Sequence, residues 1–193
     1  MGKFLGLREL RPGETIFGGK GSLIALRPTE SDSFDRRGLL DEIRGGFTLD
    51  WEGHHGANHW ARVRHHALAI ARARGAHLLV VELFAFLHDS QRCDEWRDPK
   101  HGERGTEYAR SLQGKFYSLG AKPLSQLTHA IRYHSGGEVS TDPTIQSCWD
   151  ADRLDLGRVG IKPRSEFLSP HGAQHIELAY RWSTTKSLRK NAP

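Results

Sequence analysis

Cysteine is nearly missing: Cys93 and Cys148 are the only two in 193 residues. Two thiols make no disulfide framework, and neither sits in a CxxC pair, which argues against a zinc–thiolate site. No apolar run reaches the ~18 residues of a membrane-spanning helix. The longest, Leu78–Leu87, is interrupted by Glu82 and is too short to cross a bilayer. Residues 1–10 lack a signal-peptide core followed by small residues. A cytoplasmic protein with reduced thiols is therefore expected, and no membrane partner. There is no internal repeat, no interdomain linker and no recognisable motif for reading RNA or DNA, so nucleic acid is not the expected partner. The length fits one domain.

Histidine, by contrast, is abundant, with twelve residues. Acidic residues are outnumbered, with Lys and Arg at 28 and Asp and Glu at 23, a net charge of +5. The isoelectric point is about 9.4 and the mean hydropathy −0.59. Such a chain has a strongly polar surface and attracts anions. Basic residues are spread along it, so a small phosphorylated substrate, with nucleotides among the candidates, suits them as well as a polyanion does. The hydrophobic fraction of 37% is enough for one core if the pattern is regular.

The pattern is helical. Residues 1–34 lack helical period; two short apolar stretches flank Gly18-Gly19-Lys20-Gly21 and read as an irregular or hairpin arm. Residues 35–190 read as one helical domain. A short helix over 35–44 ends at Gly45-Gly46. A second, capped by Asn58, carries His59, Val63, Ala67 and Ile70 at helical spacing and stops at Gly75. Residues 78–88 are apolar nearly all round, which places that helix in the domain centre, with His88 and Asp89 where burial stops. Asp98 as cap and Pro99 as first residue predict a helix to about 112, followed by a loop over 114–122. Further helices are expected over 123–134, 144–157 and 172–188.

A helix-borne His59, the His88-Asp89 doublet at the end of a buried helix, and an aspartate on a later helix are the parts of a metal site. Imidazole nitrogen and carboxylate oxygen together suit first-row divalent ions. These residues in this order, His59 with Arg62-Val63, Leu87-His88-Asp89, and Asp150-Ala151-Asp152-Arg153-Leu154-Asp155, resemble the HD superfamily of metal-dependent phosphohydrolases, over roughly residues 50–160. The doublet alone says little; the ordered set says much. The resemblance implies an all-α HD-type helical bundle in which His59, His88, Asp89 and Asp152 bind one ion, with Asp150 as runner-up or as a supporting residue. His101-Gly102-Glu103-Arg104-Gly105 and Tyr133-His134-Ser135-Gly136-Gly137 look like segments of HD enzymes with two ions, in which the matching histidines hold the second. The His101-to-His134 spacing is longer than in that pattern, so these two are second-ion ligands or phosphate contacts. Ser90-Gln91-Arg92 stands where one phosphodiesterase subtype has a Gly-Lys pattern.

The implied cofactor is one or two divalent ions from among Mn, Fe, Co, Ni, Mg and Zn. The implied reaction is hydrolysis of a phosphomonoester, phosphodiester or phosphoanhydride by metal-activated water. Asp89 is the expected residue to orient or deprotonate that water, and Arg153 or Lys100 to stabilise the phosphoryl oxygens. Arg62, Arg104 and His55 are further substrate-binding candidates. Each has a structural alternative: Arg62 packing across its helix, Arg153 pairing with Asp150 or Asp155. Two other functions fit the same ligands, a di-iron oxygenase of HD type and a nucleotide-sensing module without turnover.

Overall fold

The computed structural model describes residues 33–190, so the expected hairpin within residues 1–34 lies outside the described residues apart from its last two. Among the described residues there are eight α-helices and one two-stranded sheet. The helices are α1 (Arg36–Gly46), α2 (Ala57–Arg74), α3 (Leu78–Leu87), α4 (His101–Leu112), α5 (Ala121–Tyr133), α6 (Pro143–Leu154), α7 (Pro170–Ala173) and α8 (Ile176–Lys190). Strand β1 (Ser33–Phe34) pairs antiparallel with β2 (Tyr117–Ser118), in register Ser33 to Ser118 and Phe34 to Tyr117. The all-α expectation holds. The stretch expected as a plain loop over 114–122 contributes β2 and ties the chain entering α1 to the connection between α4 and α5. No helix among the described residues is long and apolar enough to cross a membrane.

α3 is the centre. Every residue from Val80 to Leu87 is buried, and α2, α5 and α6 pack around it. Leu39, Ile43, Trp60, Val63, Ala67, Leu112, Leu127, Ile131 and Trp149 from the surrounding helices complete one apolar cluster with it. The charge that interrupts the apolar run, Glu82, is met by two arginines. Arg36 Nε and Arg64 Nε donate to its Oε1 at 2.8 and 2.6 Å. Burial raises the Glu82 pKa, and the two guanidinium groups more than offset this, so it stays ionised. A buried carboxylate left unpaired would instead be strongly destabilising.

Helix ends differ from the sequence reading at α2 and α4 for a local reason, and at α6 and the final helix as well. α2 is capped by Gly56, not Asn58. A Cβ at Gly56 would lie 2.1 Å from the Trp51 carbonyl oxygen, so only glycine permits that close approach. α4 starts at His101, because the Asp98 carboxylate is engaged elsewhere, accepting from the Cys93 N–H at 2.8 Å and from Arg104. α6 ends at Leu154 and tightens into a 3-10 turn over Asp155–Val159. The final helix is two, α7 and α8.

His66 on α2 is buried and its Nε2 has no hydrogen-bond partner among the described residues. Burial pushes its pKa down to about 4. The unfolded chain binds that proton near pH 6.5, so stability falls as pH drops from about 6.5 to 4. His66→Phe should remove up to about 3 kcal/mol of that decline. Urea unfolding of wild type and variant between pH 7 and 4 measures it; parallel pH curves would refute the assignment.

Candidate metal centre

Four helix ends deliver four histidines to one spot. His59 comes from the first turn of α2, His88 directly follows α3, His101 begins α4 and His134 directly follows α5. All four are buried. They form two pairs, His59 Nε2 and His88 Nε2 at 3.0 Å, and His101 Nε2 and His134 Nε2 at 2.9 Å. Asp89 lies between the pairs. Its Oδ2 is 3.6 Å from the Nε2 of both His59 and His88. Its Oδ1 is 3.5 Å from the Nε2 of both His101 and His134. Asp152 of α6 faces the first pair, with Oδ1 3.5 Å from His59 Nε2 and 3.7 Å from His88 Nε2. The close approach of α4 to α5 needs Gly102, where a Cβ would sit 2.6 Å from the Arg132 carbonyl oxygen.

The tautomers follow from the other ring nitrogen. His88 Nδ1 donates to the Phe84 carbonyl at 3.1 Å, His134 Nδ1 to that of Ile131 at 2.7 Å, and His101 Nδ1 to that of Asp98. His59 Nδ1 donates to Asp155 Oδ2 at 2.7 Å. A carbonyl has no proton to give, so the proton sits on Nδ1 and Nε2 carries a bare lone pair. Two such nitrogens at 3.0 Å repel unless a cation lies beside them. Two imidazoles on adjacent positions of an ion at about 2.1 Å have nitrogens about 3 Å apart. Asp89 Oδ1 is buried with no hydrogen-bond partner among the described residues. The donor set therefore fits divalent metal: His59, His88 and Asp89 form one group, and Asp89, His101 and His134 another.

No family model matches the chain, and no curated protein matches it. Among solved structures it is similar to the crystal structure of a predicted HD superfamily hydrolase from an uncultured Thermotogales bacterium. The two are 26% identical, over 80% of this chain and 90% of that chain, with a TM-score of 0.59. The chain shares the helical HD-type fold of that structure.

The HD-type fold brings six of the expected site residues together, namely His59, His88, Asp89, Asp152, His101 and His134. It distributes the others differently. Asp150 touches no ligand histidine. Its carboxylate accepts from the Ser169 N–H at 2.9 Å, from Ser169 Oγ, and from Gln146 Nε2 at 2.7 Å. The residue that supports a ligand is Asp155, which the sequence reading weighed only as an ion-pair partner of Arg153. Arg62, a candidate phosphate contact, spends its guanidinium on Asp155 through Nε and through Nη2 at 2.9 Å. Arg104, another, is bound to Asp98 and to the Gln91 carbonyl. Lys100 is exposed at the start of α4 and does not line the cavity.

A cavity of about 280 Å³ opens onto the centre, lined by Asp89, Asp152, His55, His134 and three arginines, Arg92, Arg153 and Arg158, with Leu156 and Phe167 on one wall. His55 is held by Glu95, its Nδ1 2.7 Å from Oε2. Arg153 pairs with neither Asp150 nor Asp155; Nη1 donates to the Phe167 carbonyl at 2.6 Å. Its Nη2 has no partner among the described residues. Arg92 and Arg158 were not singled out from the sequence. Arg92 follows Asp89 by three residues, one helical turn, and that spacing was the available signal.

Burial raises the Asp155 pKa, but His59 and Arg62 hold it at about 2. Ionised, it keeps His59 in the metal-binding tautomer. Asp155→Asn should weaken metal affinity by about 10–100-fold, Asp152→Asn should weaken it more, and Asp150→Asn should leave it unchanged. Metal content after dialysis against graded chelator ranks the three; Asp150→Asn stripping the metal would overturn the ranking.

Proposed function

We propose that this protein is a metal-dependent phosphohydrolase acting on a phosphomonoester, phosphodiester or phosphoanhydride. The supporting observation is the cavity itself, which has metal-fitting carboxylates and imidazoles on its floor and three guanidinium groups around it. Arginines clustered about a small cavity suit a phosphoryl group, because their planar donors match its oxygens. The predicted hydrolase among solved structures supports the same reaction class.

Divalent ions, once bound, would supply Lewis acidity toward water and toward phosphoryl oxygens. The chain's own residues do the rest. Asp155 and the three backbone carbonyls fix the imidazoles, and hence where the ions sit. Asp89 and Asp152 face the cavity and accept hydrogen bonds from the attacking water, which orients it and draws off positive charge as its proton leaves. Arg92, with Nη1 3.5 Å from Asp89 Oδ1, and Arg153 and Arg158 stand where negative charge grows on the phosphoryl oxygens. Leu156 and Phe167 limit water on one side.

The shared Asp89 and six protein donors would also serve a di-iron oxygenase. The arginines favour phosphate, and the metal decides. Purified protein loaded with Mn²⁺, Co²⁺ or Ni²⁺ should release phosphate from at least one member of a panel of phosphorylated compounds, and chelation should abolish this reversibly. Metal analysis should give close to two ions per chain, and His134→Ala about one. Asp89→Ala should lose both activity and metal while remaining folded, and Arg92→Gln should lower kcat by about 10²–10³. Oxygen consumption by the iron-loaded protein, with no phosphate release under any metal, would replace the hydrolase reading with the oxygenase.

A further inference from the structure

Phe167, in the cavity lining, belongs to a segment that has no part in holding metal. Residues 165–169 run from a 3-10 turn, Ser165–Phe167, to the cap of α7, Ser169. The segment is fixed from beneath by a buried charge. Asp150 is fully buried and accepts from both the Ser169 N–H and the Ser169 hydroxyl. Gln146, bonded to the same carboxylate, donates also to the Phe167 carbonyl at 3.3 Å. That carbonyl accepts from Arg153 too. The arginine side chain is in turn laid over Trp149, with its guanidinium carbon 5.5 Å from the ring centroid.

Asp150 thus holds Phe167 and Arg153 in one arrangement. A buried carboxylate with no metal to hold is otherwise costly. The Ser135–Gly137 turn also lines the cavity, next to Phe167. A Cβ placed on Gly137 would lie 3.9 Å from Phe167 Cε1, so the turn backs the Phe167 ring and leaves it little room to swing aside. The cavity beside them, about 280 Å³ and open to solvent on one side, is smaller than the ~300–1,000 Å³ that encloses drug-sized ligands. Beside a phosphoryl group on the metal-binding side, Phe167 narrows the space left for organic substituents. Arg153 Nη2, buried and without a hydrogen-bond partner among the described residues, belongs to a residue of that lining.

We infer that the Asp150-latched wall of Phe167 and Arg153 sets the substrate class, admitting a compact phosphomonoester dianion and excluding phosphodiesters and larger polyphosphate esters. A dianionic terminal phosphate gains more from three guanidinium groups and divalent ions than a singly charged diester does. A diester also brings a second organic arm, which meets Phe167. The inference rests on the phosphate-binding part of the proposed function, and it narrows that reading.

The test has a binding arm and a turnover arm. Calorimetric titration of the Mn²⁺-loaded protein should show phenylphosphonate, a non-hydrolysable dianion, binding about 100-fold more tightly than diphenyl phosphate. Arg153→Gln should weaken phenylphosphonate by about 10–100-fold, with metal content unchanged. In turnover, kcat/KM for p-nitrophenyl phosphate over that for bis(p-nitrophenyl) phosphate gives a selectivity ratio, and comparing variants cancels the intrinsic reactivity of the two esters. Phe167→Ala should lower that ratio about tenfold or more. Asp150→Asn should lower it likewise, through KM rather than kcat, because it positions the wall without touching the reacting atoms. Equal wild-type affinity for the two titrants, or a ratio untouched by Phe167→Ala, would overturn the inference. Absence of turnover with selective phenylphosphonate binding retained would instead sink the hydrolytic reading and leave the binding selectivity standing.

Discussion

The Asp89 carboxylate, shared between two histidine pairs, is the constraint on which the rest of the structure depends. One oxygen faces His59 and His88, and the other faces His101 and His134. Four helix ends must therefore meet within a few ångströms of one side chain. A side chain can serve as such a hub only if its own backbone does not move. That rigidity comes from α3, whose buried residues Val80 to Leu87 pack against three other helices. The apolar run is not merely the core of the domain; it is the anchor that fixes the doublet following it. The two arginines on Glu82 then allow a charge to sit in that run without cost to the packing.

Much of this was legible in the sequence, because helical periodicity and an apolar run are local signals. The positions of α2 and α3 follow from their apolar residues, and the six ligand candidates follow from the resemblance of the ordered motifs to the HD superfamily. What was not legible depends on pairing over long distances or on where a helix stops. Arg62 looked available to substrate because its partner, Asp155, lies 93 residues away. Arg104 looked available because nothing in Asp98-Pro99 says that the carboxylate turns back to the chain rather than capping α4. Asp155, not Asp150, supports a ligand histidine, for a geometrical reason. The sequence reading carried a regular helix to residue 157, whereas α6 stops at Leu154 and tightens. Past that point the 100° step per residue no longer says where Asp155 faces.

A buried centre of this kind is poorly stable without its ions, yet the folded chain must hold it open. Ring nitrogens with their lone pairs turned to one another, beside two carboxylates, repel, and the nearby cation Arg92, 3.5 Å from Asp89 Oδ1, offsets this only on one side. The packing of α3 and its neighbours sustains that arrangement, and metal binding then relieves it, so part of the metal's binding energy is returned as stability of the fold. Rings already aimed by hydrogen bonds lose little freedom when an ion arrives, which favours tight binding.

How the rings are aimed separates one histidine from the other three. His88 donates to the carbonyl four residues behind it, and His101 and His134 to carbonyls three residues behind. Those bonds form as soon as each helix end forms. His59 has no such resource. It sits in the first turn of α2, and the Gly56 carbonyl three residues behind already accepts from the His59 and Trp60 N–H groups. Its ring is aimed by Asp155, just past the end of α6, and Arg62 on the next turn of α2 binds the same carboxylate. The one ligand without a local anchor thus depends on the contact that joins α2 to the end of α6. Three of the four rings can be set by local structure alone, but the first metal group is complete only when those two helices have docked. Docking the domain and assembling its site are the same event at Asp155.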